Sequence, residues 1–136
     1  MYNKKMENNT VFGKIIRGEI PATKVYEDEK FLAFLDINPV TKGHTLLLPK
    51  KHFVWMQDVP NDIISEIFIK AKDIIFALKK STSCDYVQVV IEGIQVPHFH
   101  IHLIPSMHSE ENAKWKHIAY ENGEINTWAE KIKNNL

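Results

Sequence analysis

The order of apolar and polar positions divides the chain into short strands and one long helix. Residues 61–80 place Ile63, Ile64, Ile67, Phe68, Ala71, Ile74, Ile75 and Leu78 at i, i+1, i+4, i+5 intervals, which draws one apolar stripe along a helix. Lys70, Lys72, Asp73 and Lys79 fall off that stripe, and Ser81-Thr82-Ser83 ends it. Residues 24–27 and 31–37 read as a β-hairpin around the charged turn Asp28-Glu29-Lys30, and Asn38-Pro39 breaks the second strand. Lys42-Gly43 is a turn before a third strand over 44–49. Residues 85–91 read as a fourth strand and 98–104 as a fifth, with Gly93 and Pro97 between them and Pro105 closing the last. Thr10 suits the N-cap of a short helix over 11–17, with Gly18 at its end and Pro21 just beyond. The polar residues 1–9 are expected to form a flexible tail, and 128–132 a piece of helix. Strands, a long helix and more strands in short connections predict an α+β fold: a mostly antiparallel five-stranded sheet with one long and one or two short helices.

Composition narrows the picture. The 136 residues make one domain, and 17 basic against 17 acidic residues give a formal net charge of zero. No basic excess exists to neutralise a nucleic-acid backbone, so nucleic acid is not expected as a partner. The apolar runs are far too short for a bilayer, so neither is a membrane. The single cysteine, Cys84, excludes a disulfide framework and a cysteine-cluster metal site. The N-terminal residues have no apolar stretch behind their charges, which is unlike a secretory signal, and a cytoplasmic location is expected.

Seven histidines are the unusual feature. His98, His100 and His102 alternate with Phe99, Ile101 and Leu103, so on a strand the imidazoles share one face and the apolar residues the other. Three ligands to one zinc ion are excluded, because the outer two lie roughly 13 Å apart along a strand, whereas zinc–nitrogen bonds are about 2 Å. A His-x-His pair completed by His44 or His52 stays open as a metal site. Nucleotide chemistry is also open: neutral imidazole attacks phosphorus, and its neighbours can hold phosphate oxygens. Asp36, at a strand end beside a Pro turn, offers two acceptor oxygens that suit a vicinal diol, and equally suits a plain turn residue.

The alternating triad resembles the signature of the histidine triad (HIT) family. The likeness extends, in order, through residues 11–21, Phe34-Leu35-Asp36-Ile37-Asn38-Pro39, Lys42-Gly43-His44-Thr45-Leu46 and Pro49-Lys50-Lys51-His52, and covers about 10–105. Residues 10–136 then form a single domain, in which 107–136 is a divergent C-terminal extension. The compact size resembles the Hint-like nucleotide-binding branch, whose members bind purine nucleotides such as AMP and GMP as homodimers and hydrolyse nucleoside phosphoramidates. The resemblance implies His100 as the nucleophile, His102 as the holder of a phosphate oxygen, His98 as its orienting neighbour and His44 as a supporting fourth histidine. It implies Asp36 on the ribose hydroxyls, Ile37, Phe12 and Ile15 around the base, and Gly93 and Gln95 near the phosphate. The implied partners are purine nucleoside monophosphates and their conjugates. A homodimer is expected through the long helix and adjoining strands, with Trp55 or Trp115 able to cover a contact.

The chain departs from the family at two places. Many bacterial relatives carry a zinc-binding Cys-x-x-Cys where this chain has Thr10 and Gly13, so no structural metal and no cofactor are expected, and His52 becomes a surface histidine. The loop before the triad reads Glu92-Gly93-Ile94-Gln95, with Ile94 at the Gln position typical of dinucleoside polyphosphate hydrolases. A nucleotide-binding interaction module with negligible catalysis and a dinucleoside polyphosphate hydrolase are the alternatives to the hydrolase reading, with a metal-dependent hydrolase behind them. Acid–base work by two coupled histidines predicts a bell-shaped rate profile.

Overall fold

The computed structural model describes residues 8–109 and 116–136. In chain order the elements are α1 (Val11–Ile16), β1 (Lys24–Glu27), β2 (Phe31–Leu35), β3 (Thr45–Pro49), a 3-10 turn (Met56–Asp58), α2 (Asn61–Thr82), β4 (Tyr86–Ile91), β5 (Ile101–Ser106) and α3 (Glu124–Asn134). The five strands form one antiparallel sheet in the order β1-β2-β3-β5-β4. This is the α+β fold that the hydrophobic pattern predicts.

At its centre the sheet is covered on both faces, which is why β2 and β3 are buried along their whole lengths. One face carries Ala33, Leu35, Leu47, Ile101 and Leu103 into a core with Ile67, Ala71, Ile74 and Leu78 of α2. The opposite face packs Leu32, Phe34, Leu46 and Leu48 against Phe12 and Ile15 of α1. Strand register then places His102. Phe34 pairs with Leu46, Leu46 with His102, and His102 with Val90, one row across the sheet. Because the pleat sends a row to one side, His102 points to the α1 face, away from α2.

The stripe on α2 is the one read from the sequence, and the helix runs two residues further, to a Ser83 cap in the left-handed region. Lys79 and Lys80 in its last turn complement the helix dipole. Thr10 caps α1 by accepting a hydrogen bond from the Gly13 amide. Gly43 turns with φ +90°, a conformation that glycine takes without strain, and delivers His44 to the start of β3.

The fifth strand differs from expectation: it begins at Ile101 instead of His98 and runs through Pro105 instead of stopping before it. The His98 and Phe99 amides bond to the carbonyls of Val96 and Phe53, so they are not available to a strand neighbour. Pro105 is tolerated because pairing with β3 ends at Leu103. The second strand stops at Leu35, before Asp36 and Ile37. The C-terminal helix is longer than its 128–132 pattern, and buries Ala129 and Ile132 in the α2 core. Of the expected N-terminal tail, residues 1–7 lie outside the described residues, as does Trp115. Asn8 is part of the fold, held by bonds to His98 and Thr10. Among the described residues no helix is long and apolar enough to cross a membrane.

Candidate active site

A cavity of about 280 Å³ opens on the α1 face of the sheet. Its apolar half is walled by Phe12, Ile15, Phe34 and Leu46, and its polar half by Asp36, Glu92, Gln95, His100 and His102. Ile37 sits on its rim, 74% exposed. Gly93 is not on the wall: a Cβ there would stand 3.3 Å from the Trp55 ring, so the glycine lets the loop pack on that side chain. His44 and His98 are fully buried behind the wall.

Hydrogen bonds determine which nitrogen of each ring carries the proton. The Val40 amide can only donate, and it lies 3.0 Å from His44 Nδ1. His44 therefore holds its hydrogen on Nε2, which meets His102 Nδ1 at 2.9 Å. His102 accepts there and keeps its own hydrogen on Nε2. His100 is arranged the other way. Its Nδ1 lies 2.6 Å from the His98 carbonyl, which can only accept, so the hydrogen sits on Nδ1 and the lone pair on Nε2. The two rings stand 4.9 Å apart, centre to centre. The cavity thus brings together a nucleophilic nitrogen and an N–H donor of one residue type.

Burial keeps these rings neutral. It lowers His44 to about 3, with the adjacent His102 adding to the effect. It lowers His102 to about 4, reinforced by His100 and opposed by Glu92. His98 falls to about 4, chiefly by burial, against the bond to Pro49. His100 is lowered by burial, with the His98 carbonyl, Glu92 and Asp36 pulling back. Burial raises Asp36, whose Oδ1 accepts from the Asn38 amide at 2.9 Å.

His98 is fixed at both nitrogens. Nε2 donates to the Pro49 carbonyl at 2.7 Å, and Nδ1 accepts from the Asn8 amide group at 2.8 Å. Sequence reasoning missed Asn8, which lies 90 positions from its partner; the Asn-x-Thr spacing was the available signal, since Asn8 Oδ1 also accepts from the Thr10 hydroxyl. His52 is more than a surface residue: it stacks on His98 with ring centres 5.3 Å apart and bonds to the Pro97 carbonyl. His117, from the C-terminal segment, bonds to the Asn38 carbonyl and places a further imidazole near Asp36.

Asp36, His44 and His102 also bring ligand-capable atoms within 4.8 Å of one another. His44 uses both nitrogens for Val40 and His102, so a metal ion there would have to break that pair.

A two-sided antiparallel sheet with an apolar cleft ending in paired imidazoles defines a histidine-based site for a small, partly apolar ligand. The chain matches the HIT domain family model over residues 17–109 and belongs to that family. A HIT-like protein of Methanocaldococcus jannaschii is 46% identical over 100 residues, covering 70% of this chain and 77% of its own. The adenylylsulfatase HINT3 of Arabidopsis thaliana is 36% identical over 115 residues, 81% of this chain, which spans 57% of the plant protein. The adenosine 5'-monophosphoramidase HNT1 of Saccharomyces cerevisiae is 38% identical over 100 residues, covering 70% of this chain and 61% of the yeast protein. Among solved structures, a Hit-like protein from Bartonella henselae superposes with a TM-score of 0.85 at 34% identity, covering 95% of this chain and 97% of that one.

A zinc-bound histidine triad protein from Mycobacterium smegmatis also superposes, with a TM-score of 0.82 at 28% identity, covering 93% of this chain and 92% of that one. At positions 10 and 13, where the family resemblance puts a zinc-binding Cys-x-x-Cys, the residues here do not fit a zinc ion. Thr10 and Gly13 supply no thiolates, and a Cβ at Gly13 would stand 2.3 Å from the Asn8 carbonyl oxygen. Both His98 nitrogens are already bonded within the protein.

Proposed function

We propose that the protein hydrolyses purine nucleoside 5′-phosphoramidates, or related nucleoside monophosphate conjugates, through a nucleotidyl-His100 intermediate. The observation that carries this reading is the opposite tautomers of His100 and His102. The Nε2 lone pair of His100 attacks the α-phosphorus, and the P–N bond breaks with its electron pair moving to nitrogen. That nitrogen takes a proton from solvent and leaves as an amine. The nucleotidylated His100 ring is a cation whose Nδ1–H still donates to the His98 carbonyl. Water then attacks phosphorus, the pair in the P–Nε2 bond returns to His100, and the proton lost by water balances the one gained by the amine. His102 holds a non-bridging oxygen through its Nε2–H, a preorganised donor that needs no metal.

The remaining roles follow the cavity. Phe12, Ile15 and Ile37 take the base, and Asp36 accepts from the ribose hydroxyls. Gln95 reaches the phosphate, whereas Gly93 acts by shaping its loop. His44 and His98 are positioning residues that set the tautomers of the two acting rings. The names of the plant and yeast relatives support a nucleotidyl transfer to water, and we read the protein as acting in the cytoplasm without a cofactor.

The working unit is proposed to be a homodimer. Ile69 and Phe76 on α2, and Val89 and Ile91 on the edge strand β4, are exposed apolar side chains on the elements expected at the contact.

The test is release of AMP from adenosine 5′-phosphoramidate by metal-stripped protein. His100→Asn should keep AMP binding and lose turnover by about 10³-fold or more. Binding of AMP without turnover by the unaltered protein would favour an interaction module. Activity that needs added zinc would overturn the metal-independent mechanism.

A further inference from the structure

We propose that Glu92 makes this site select nucleoside monophosphate conjugates whose leaving group is positively charged, aminoalkyl phosphoramidates above all, over conjugates that leave as an anion. The proposal rests on the hydrolase reading above and names the substrate class within it.

The cavity wall holds two carboxylates, Asp36 and Glu92, and among its described residues no lysine or arginine. Sites built for several phosphates or a sulfate place guanidinium or ammonium groups on the oxygens. Here the titratable nitrogen groups among the described wall residues are the imidazoles of His100 and His102, and burial keeps them neutral. The resting wall is therefore negative. Such a wall tolerates one phosphoryl charge held by N–H donors, and each further negative charge raises its free energy.

The two carboxylates occupy different ends of the reaction. Asp36 sits where β2 turns away, its Oδ1 taken by the Asn38 amide, on the side assigned to the ribose. Glu92 follows the end of β4, on the loop that leads back to the triad. Its Oε1 accepts from the Ile94 amide at 2.8 Å, which fixes the carboxylate against its own loop while it lines the cavity. Its field acts on both His100 and His102, the rings that face the phosphorus, and opposes their burial. A carboxylate at the phosphoryl end attracts a cationic leaving group and repels an anionic one. At about 6 Å and an effective dielectric constant near 20, unit charge is worth about tenfold or more in rate after screening.

Leaving-group charge separates two activities between which overall identity does not decide. Sulfate leaves as an anion from an adenylyl sulfate, and an amine leaves from a phosphoramidate. Identities of 36% and 38% to proteins named for these two activities do not distinguish them. The charge at position 92 does.

The experiment compares adenosine 5′-phosphoramidates of ethylenediamine and of β-alanine, which share a chain length and differ in tail charge. The unaltered protein should prefer the ethylenediamine conjugate by about tenfold or more in kcat/KM, a preference that weakens with salt. Glu92→Gln, whose amide oxygen still accepts from Ile94, should lose most of it, and Glu92→Lys should reverse it. Binding of the matching non-hydrolysable sulfamide analogues is measured in parallel. Equal cleavage of both conjugates, or a preference unchanged in Glu92→Gln, overturns the role of Glu92 and leaves the hydrolase reading intact. Charge-selective binding that Glu92→Gln abolishes, with neither conjugate cleaved, upholds Glu92 and overturns the hydrolase reading. No binding of either analogue together with no cleavage of either conjugate overturns both.

Discussion

His44 Nε2 stands 2.9 Å from His102 Nδ1, and the backbone permits that hydrogen bond only one direction. The Val40 amide occupies the other nitrogen of His44, so the hydrogen runs from His44 to His102. A buried ring that touches no substrate therefore sets the tautomer of one that would. Replacing it with a side chain that cannot pass on that direction should misplace the donor on the phosphoryl oxygen. His44→Phe is expected to lower kcat by about 10²-fold while changing AMP affinity little. Steady-state kinetics with calorimetric titration of AMP checks this; equal losses in binding and turnover would indicate a purely structural role.

The pH profile of kcat/KM should show a single acid limb. The free enzyme needs neutral His100, and burial lowers that ring below the ordinary imidazole range. The rate should fall as His100 is protonated below that range and stay flat from pH 7 to 9. A bell, the expectation from the residues alone, would require a cationic histidine acid at neutral pH. His102, lowered to about 4, is neutral there and donates from a hydrogen held by its tautomer. A basic limb near pH 7 would contradict this arrangement.

Stability should also respond to acid. His44, His98 and His102 have folded values of about 3, 4 and 4, against an ordinary value of 6.5. Between these limits the unfolded chain binds more protons than the folded one, so stability rises with pH. The contribution is fully present above about pH 6.5 and is lost as pH falls toward 4. Thermal unfolding across pH 4 to 8 should show Tm dropping on the acid side of this window. His98→Asn should flatten part of that slope, and an unchanged slope would contradict the account.

Asn8 anchors the first histidine of the triad. Its amide holds His98 Nδ1, and the His98 carbonyl in turn holds His100. Asn8→Ala should cost about 1 kcal/mol of stability and lower kcat several-fold with KM nearly unchanged. Asn8→Asp puts an acceptor where a donor stood, so His98 should take up a proton well above its present value of about 4. A histidine NMR titration reads that shift directly. An Asn8→Asp protein whose His98 still titrates near 4 would show that this contact does not set the ring.

The triad was legible because a period of two residues is a local signal: His98, His100 and His102 alternate with side chains that must be buried. The cavity-facing row was not legible in this way, since Leu46-Leu47-Leu48 is apolar on both faces and only the register separates them. What the sequence concealed depends on distant partners. Asn8 meets His98 across 90 positions, and His117 meets Asn38 across 79. The start of β5 was hidden because the His98 and Phe99 amides bond to Val96 and Phe53, which no periodicity encodes. The tautomers were hidden too, because they follow from which backbone group each ring meets. The C-terminal helix was only half visible: Gly123 marks its start, and the buried Ala129 and Ile132 identify the packed face once α2 and α3 are seen together.

The most direct test is to quench the metal-stripped protein during turnover of an adenosine 5′-phosphoramidate and locate the nucleotidyl group by peptide mass spectrometry. The account predicts an adenylyl adduct on His100, formed and consumed at rates compatible with turnover and absent from His100→Asn. Turnover with the adduct on His102, or with water attacking directly and no protein adduct formed, would contradict it.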